Sequence, residues 1–225
     1  DSEVVREKVA PVREQFLAVL TNRPFIVYAC AFFLFTIGFL GAQRALPYWA
    51  ELGLNGNEQT VTWLMLPFIV TAMASLAIIP RFTDRFGVKT MMLAAFAIIV
   101  TGLPMMYVVG KLAVAAWAKT VLGGAIFGYC GVGQGIIYVM MTPLLGEIID
   151  FDEIRSGRRR ESLYNGLSTL AWSAAGGGAV FFATTTMALW GNAAGNYEGV
   201  LLIGPLAGVF GVLGFVVMLA YPKRR

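Results

Sequence analysis

The run from Glu147 to Glu161, EIIDFDEIRSGRRRE, sets acids and arginines side by side between two long apolar stretches. Glu147 and Asp150 are three apart, so on a helix they share a face, and Glu153 continues that face. Ser156 and Gly157 break the pattern, then Arg158, Arg159, Arg160 and Glu161 follow. The chemistry on offer is ion pairing. One reading is a charge-paired gate that forms and breaks as two helix bundles rock. The other is a solvated loop whose arginines only set membrane orientation, although orientation needs no acids. A second charged stretch, RFTDRFGVK at 81–89, reads as a turn between antiparallel helices, with Gly87 at the bend. Asp84 and Arg85 are its candidates for pairing at the same face.

Polar side chains inside apolar runs form a second group. Gln134, Tyr138 and Thr142 recur at i, i+4 and i+8, one stripe on a helix. Asn165, Ser168, Thr169 and Trp172 recur at i, i+3, i+4 and i+7, again one face. Polar groups within a bilayer must find protein partners or a wet cavity. An aromatic ring beside hydrogen-bonding groups suits a sugar, whose faces are apolar and whose rim is hydroxyl. The competing reading is plain interhelical hydrogen bonding. Catalysis has little to work with. There is no His, no metal-ligand cluster and no nucleophile spaced to a base. Cys30 and Cys130 lie far apart within apolar runs and read as packing residues.

The elements that must position these residues are membrane helices. The 225 residues are 58% hydrophobic and 13% charged, and the mean hydropathy is +0.72. A soluble domain carries about a quarter charged residues. Six apolar runs reach the roughly 20 residues that a spanning helix needs: about 25–42, 61–80, 90–109, 117–146, 162–189 and 199–221, the second ending at Pro80. They are continuous and too long for barrel strands. No Asp or Glu lies in the middle of any of them. The fourth exceeds one bilayer and is expected to tilt or extend into the cytoplasm. Paired glycines four apart (Gly124 and Gly128, Gly131 and Gly135, Gly204 and Gly208) suit close helix packing. Gly176–Gly178 marks a possible bend, and residues 12–20 a short amphipathic helix at the cytoplasmic surface.

Of the seventeen basic residues, all but Arg44, Lys111 and Lys119 fall in the two tails and the 81–90 and 147–161 loops. With six spans those four segments share a side, so the positive-inside rule places them, and both termini, in the cytoplasm. This bias accounts for the net charge of +4. No soluble basic patch points to nucleic acid.

The run GEIIDFDEIRSGRRRESLYNG resembles the signature of the glycoside–pentoside–hexuronide:cation symporters, the melibiose-permease-like branch of the major facilitator superfamily. Glu147, Asp150, Phe151, Glu153, Gly157, Arg158 and Glu161 carry it, with Glu147 where an Asp is commoner. The 81–89 stretch is similar to the superfamily's conserved cytoplasmic loop, with Pro80 in place of its Gly and Val88 in place of its usual Arg. Asn22-Arg23-Pro24-Phe25 looks like the head of the family's seventh helix. The resemblance implies the C-terminal six-helix half of a twelve-helix transporter, an inverted three-plus-three repeat. On it, residues 1–24 form a linker between halves, and 25–225 the transmembrane bundle. Tyr138 and Thr169 match an aromatic and a cavity-facing Thr of the family, whereas Ser173 stands where a melibiose carrier has a Lys tied to cation coupling.

The expectation is therefore an all-α membrane protein, half of a symporter moving a sugar or glycoside by alternating access, and not an enzyme. Substrate contacts are expected at Gln134, Tyr138, Asn165, Thr169 and Trp172. The cytoplasmic gate is expected at Asp84, Arg85, Glu147, Asp150, Glu153, Arg158, Arg160 and Glu161. No cofactor is expected; the coupling cation, sodium or proton, would bind mainly in an N-terminal half. The partners are that half, the bilayer and a small solute. A lysophospholipid or other solute as cargo, or a non-transporting scaffold, are the alternatives.

Overall fold

The computed structural model describes residues 11–222. The first ten residues of the expected linker, with Arg6 and Lys8, and the terminal Lys223–Arg225 lie outside the described residues. Among the described residues the regular structure is helical. A short α1 (Val12–Leu20) leads into α2 (Arg23–Tyr48), which continues as a π-helix (Trp49–Gly53). Then come α3 (Glu58–Phe86), α4 (Val88–Gly102), α5 (Met105–Lys111), α6 (Ala116–Ser156), α7 (Glu161–Trp190) and α8 (Glu198–Leu219). α4 and α5 together make one span, and six spans result, each long and apolar enough to cross a membrane. This is an integral membrane protein.

The packing has internal symmetry. α3 lies along α6, as α7 lies along α2; α4 lies on α6, as α8 lies on α2. The first three spans thus repeat as the last three, and α4 against α8 joins the two groups. The core between them is aromatic. Phe35 stacks on Phe96 at 4.8 Å, and Phe39 meets Phe68 at 6.2 Å. Trp49 is fully buried against Phe127 and donates its indole N–H to the Met106 carbonyl at 3.1 Å. The close approach of α3 to α6 needs glycine. A Cβ on Gly135 would stand 2.5 Å from Ser75 Cβ and 2.7 Å from the Ala72 carbonyl.

Several helices outrun the apolar windows. α3 passes through Pro67 and Pro80 and ends at Phe86, so residues 81–86 are helix and the turn is Gly87 alone, at φ 77°. A proline removes one ladder bond, a loss tolerated in membrane helices. α2 runs past Arg44 and Pro47, where the ladder widens: the Leu54 N–H donates to the Trp49 carbonyl, five residues back. The third span breaks at Leu103–Pro104. α6 continues to Ser156, so most of the expected 147–161 loop is helical. The triple glycine 176–178 does not interrupt α7. Cys130 is buried, but Cys30 is exposed on α2 and is no core residue.

Candidate functional site

The charged site forms where α6 turns into α7. Gly157 adopts the left-handed conformation, at φ 69° and ψ 12°, and its N–H bonds back to the Glu153 carbonyl. That conformation suits glycine and ends the helix. Four residues later α7 begins, and Arg159 and Arg160 between them pair with acids on both sides of the turn. Arg160 donates to Asp152 at 2.8 Å, both side chains about nine-tenths buried (12% and 10% exposed). Arg159 bridges Glu153 and Glu161, each at 3.1 Å, in the open. The Glu161 contact, then Glu153, raises the pKa of Arg159 further above its ordinary value.

The buried pair has a longer reach. The Tyr164 hydroxyl lies within electrostatic reach of Asp152 and accepts from the Asn22 amide at 2.6 Å. A line of contacts therefore runs from the head of α2 through α7 to the foot of α6. Tyr164 also meets the Phe25 ring edge-on at 5.0 Å.

The expected gate residues divide. Arg160, Glu153 and Glu161 join this cluster, and Glu147 and Arg158 are each engaged as well. Asp150 is exposed and makes no ion pair among the described residues. Asp84 and Arg85 sit exposed on the last turn of α3, with the Arg85 guanidinium 5.5 Å above the Phe86 ring. Neither forms an ion pair among the described residues. The acid that carries the buried pair, Asp152, was not singled out in the sequence. Its signal is there: Leu145, Ile148, Ile149 and Asp152 share one helical face, and all four are buried.

The polar stripes divide too. Gln134 is 3% exposed and its carbonyl oxygen has no partner, so it belongs to the bundle interior; Tyr138, one turn on, is 60% exposed. Thr142 is exposed. On α7, Asn165 and Thr169 are exposed, and each bonds back to its own helix, to the Glu161 and Asn165 carbonyls. Trp172 is half-buried in a cleft between α2, α6 and α7, shared with Tyr28, Thr36, Met141 and Ser168. Its volume is about 20 Å³, room for one water. Three buried hydroxyls at this cleft, of Tyr28, Thr36 and Ser168, lack protein partners. Tyr28 and Thr36 had a sequence signal of their own, two polar tips eight residues apart in an apolar run. Among the described residues no cluster of three or more His, Cys, Asp or Glu could hold a metal.

The arrangement has helices long enough to span, polar side chains on span surfaces, and a charged turn at one end. A family model described as MFS/sugar transport protein matches residues 2–222. The chain belongs to this family. The isoprimeverose transporter of Lactiplantibacillus pentosus is 25% identical over 170 residues, which are 75% of this chain and 34% of the relative. The matched segment thus spans about a third of that relative's length. No solved structure matches the chain.

Proposed function

We propose that this chain is the C-terminal six-helix half of a cation-coupled sugar symporter that works by alternating access. The observation that carries it is the surface of α7. This span buries only 17% of its most apolar window inside the bundle, against 61% for α2. Yet it presents Asn165 and Thr169 outward, and Trp172 beside them. Thr169 spends its hydroxyl proton on the Asn165 carbonyl, but the Asn165 amide spends only one N–H, on the Glu161 carbonyl, and lipid tails offer its oxygen and second N–H nothing. A wet cavity facing a second half does. In this reading Tyr138, Asn165, Thr169 and Trp172 face the sugar, whose ring stacks on the aromatics. Gln134 supports them from within the bundle.

The remaining parts follow from the same reading. Residues 1–24 link the halves, and 25–225 form the bundle. The basic turns and both termini lie in the cytoplasm. Glu147, Asp150, Glu153, Arg158, Arg160 and Glu161 form the cytoplasmic gate, with Asp84 and Arg85 at its flank. With no acid in the middle of a span, the sodium ion or proton binds chiefly in the other half. The name of the curated relative makes isoprimeverose the first sugar to try. The test uses Thr169→Cys in a background where the exposed Cys30 is replaced by Ser. A membrane-impermeant thiol reagent should label this cysteine, and isoprimeverose should protect it. No labelling in any condition would mean that lipid or packed protein covers the face, and would sink the proposal.

A further inference from the structure

A groove of about 880 Å³ runs between α3 and α6, starting at their N-terminal ends. It plays no part in the charged turn or the polar face of α7. Its mouth carries Asn57 and Gln59, with Trp63 and Trp117 standing exposed on either wall (65% and 73%). Tryptophans at this level of a span mark the membrane–water boundary. Three threonines also line the groove, but their hydroxyls are already used. Thr60 is locked in the capping box with Asn57. Thr71 donates to carbonyls of its own helix and bonds the Gly128 carbonyl at 2.7 Å, and Thr120 donates to the Ala116 carbonyl at 3.0 Å. What remains below the mouth is methyl, methylene and glycine surface, from Leu66, Pro67, Val121, Gly124, Ala125 and Gly128. A sugar would find few free partners there.

The length points to the occupant. From Trp117 to Gly128 the floor of α6 is twelve residues, eleven rises, about 16 Å at 1.5 Å each. One leaflet of a roughly 30 Å hydrocarbon core is about 15 Å. The groove then closes, because α3 and α6 come together at Gly131 and Gly135, where no side chain fits between them. A spanning helix from another protein would need a groove open through both leaflets. This one is open through one leaflet, with a polar mouth at the interface and an apolar floor.

We infer that the α3–α6 groove is a binding site for one acyl chain of a membrane phospholipid, with its headgroup region at Asn57 and Gln59. The lipid is a resident ligand of the fold. The inference stands on the groove alone and is independent of the transport reading.

The test is photolabelling of the natural protein in phosphatidylethanolamine vesicles doped with a phosphatidylethanolamine bearing a diazirine on its acyl chain. Adducts should concentrate on the peptides around Trp63–Thr71 and Val121–Gly128. They should exceed those on the exposed α8 positions Val212 and Val216 at least fivefold. Ala125→Phe, which fills the groove from an exposed position, should lower groove labelling about tenfold and leave α8 labelling unchanged. Val121→Trp fills it from a neighbouring exposed position and should do the same, which guards against a folding defect in either variant. Equal labelling of the groove and α8 would mean ordinary boundary lipid and would overturn the inference. So would groove labelling that survives both substitutions, or a cysteine at 125 that cross-links to another protein segment.

Discussion

Asp152→Asn should loosen the α6–α7 turn far more than any neighbouring acid substitution. The variant keeps the shape of the side chain and removes its charge, leaving the Arg160 guanidinium buried without its counterion. Removing one member of a buried ion pair costs about 3–5 kcal/mol. These side chains retain about a tenth of their exposure, so solvent screening trims the figure to roughly 2–4 kcal/mol. Asp150→Asn, by contrast, touches an exposed group and should stay within about 0.5 kcal/mol of the parent. The assay is a double-mutant cycle with Arg160→Gln, read as equilibrium unfolding of the purified protein in mild detergent. The coupling energy should reach about 2 kcal/mol, because the double variant no longer strands a charge. A coupling under about 0.5 kcal/mol would show that the pair is solvated in practice, and the argument for a buried electrostatic tie would fail.

Three further outcomes are expected. Trp172→Ala should weaken sugar binding by about 1 kcal/mol, roughly fivefold, through the lost aromatic face; calorimetric titration with isoprimeverose checks it, and unchanged affinity removes Trp172 from the site. Gly135→Leu should destabilise the fold by about 1–3 kcal/mol by forcing α3 off α6, seen as a lowered thermal midpoint that Gly146→Leu, in open space, does not reproduce. Lys119→Met should cost about 1–3 kcal/mol. The Lys119 ammonium is buried and donates to the Gly53 and Gly110 carbonyls at 3.0 Å each, so the variant strands two acceptors; an equally stable Lys119→Met protein would contradict this.

Hydropathy made the six spans legible, because any run of about 20 apolar residues in a chain this poor in charge has one physical home. It does not report where a helix ends. Arg44 and Pro47 in α2 look like a terminus, yet the chain shifts to a wider helical ladder and continues to Gly53. Pro80 reads as a stop, but α3 absorbs it. Helical periodicity grouped Glu147, Asp150 and Glu153 correctly on one face, and the outward face proved the wrong place to look for the strongest pair. Asp152 lies on the apolar face, where burial multiplies what a charge pair can do. The same limit applies to Gln134 and Tyr138. They are four residues apart on one stripe, yet one is inside the bundle and the other outside, because α6 changes neighbours along its length. Lys119, a lone cation near the head of the fourth apolar run, is buried on two backbone carbonyls. Such pairings depend on distant segments, Gly53 and Gly110, that local spacing does not connect.

The central claim, that these six helices are half of a sugar symporter, meets its most direct test in proteoliposomes. Uptake of labelled isoprimeverose is measured for the 225-residue chain alone and for a longer natural protein containing it, each with and without a sodium or proton gradient. The account predicts gradient-stimulated uptake by the longer protein and none by the chain alone. Uptake by the chain alone, or no sugar uptake by the longer protein under any gradient, would contradict it.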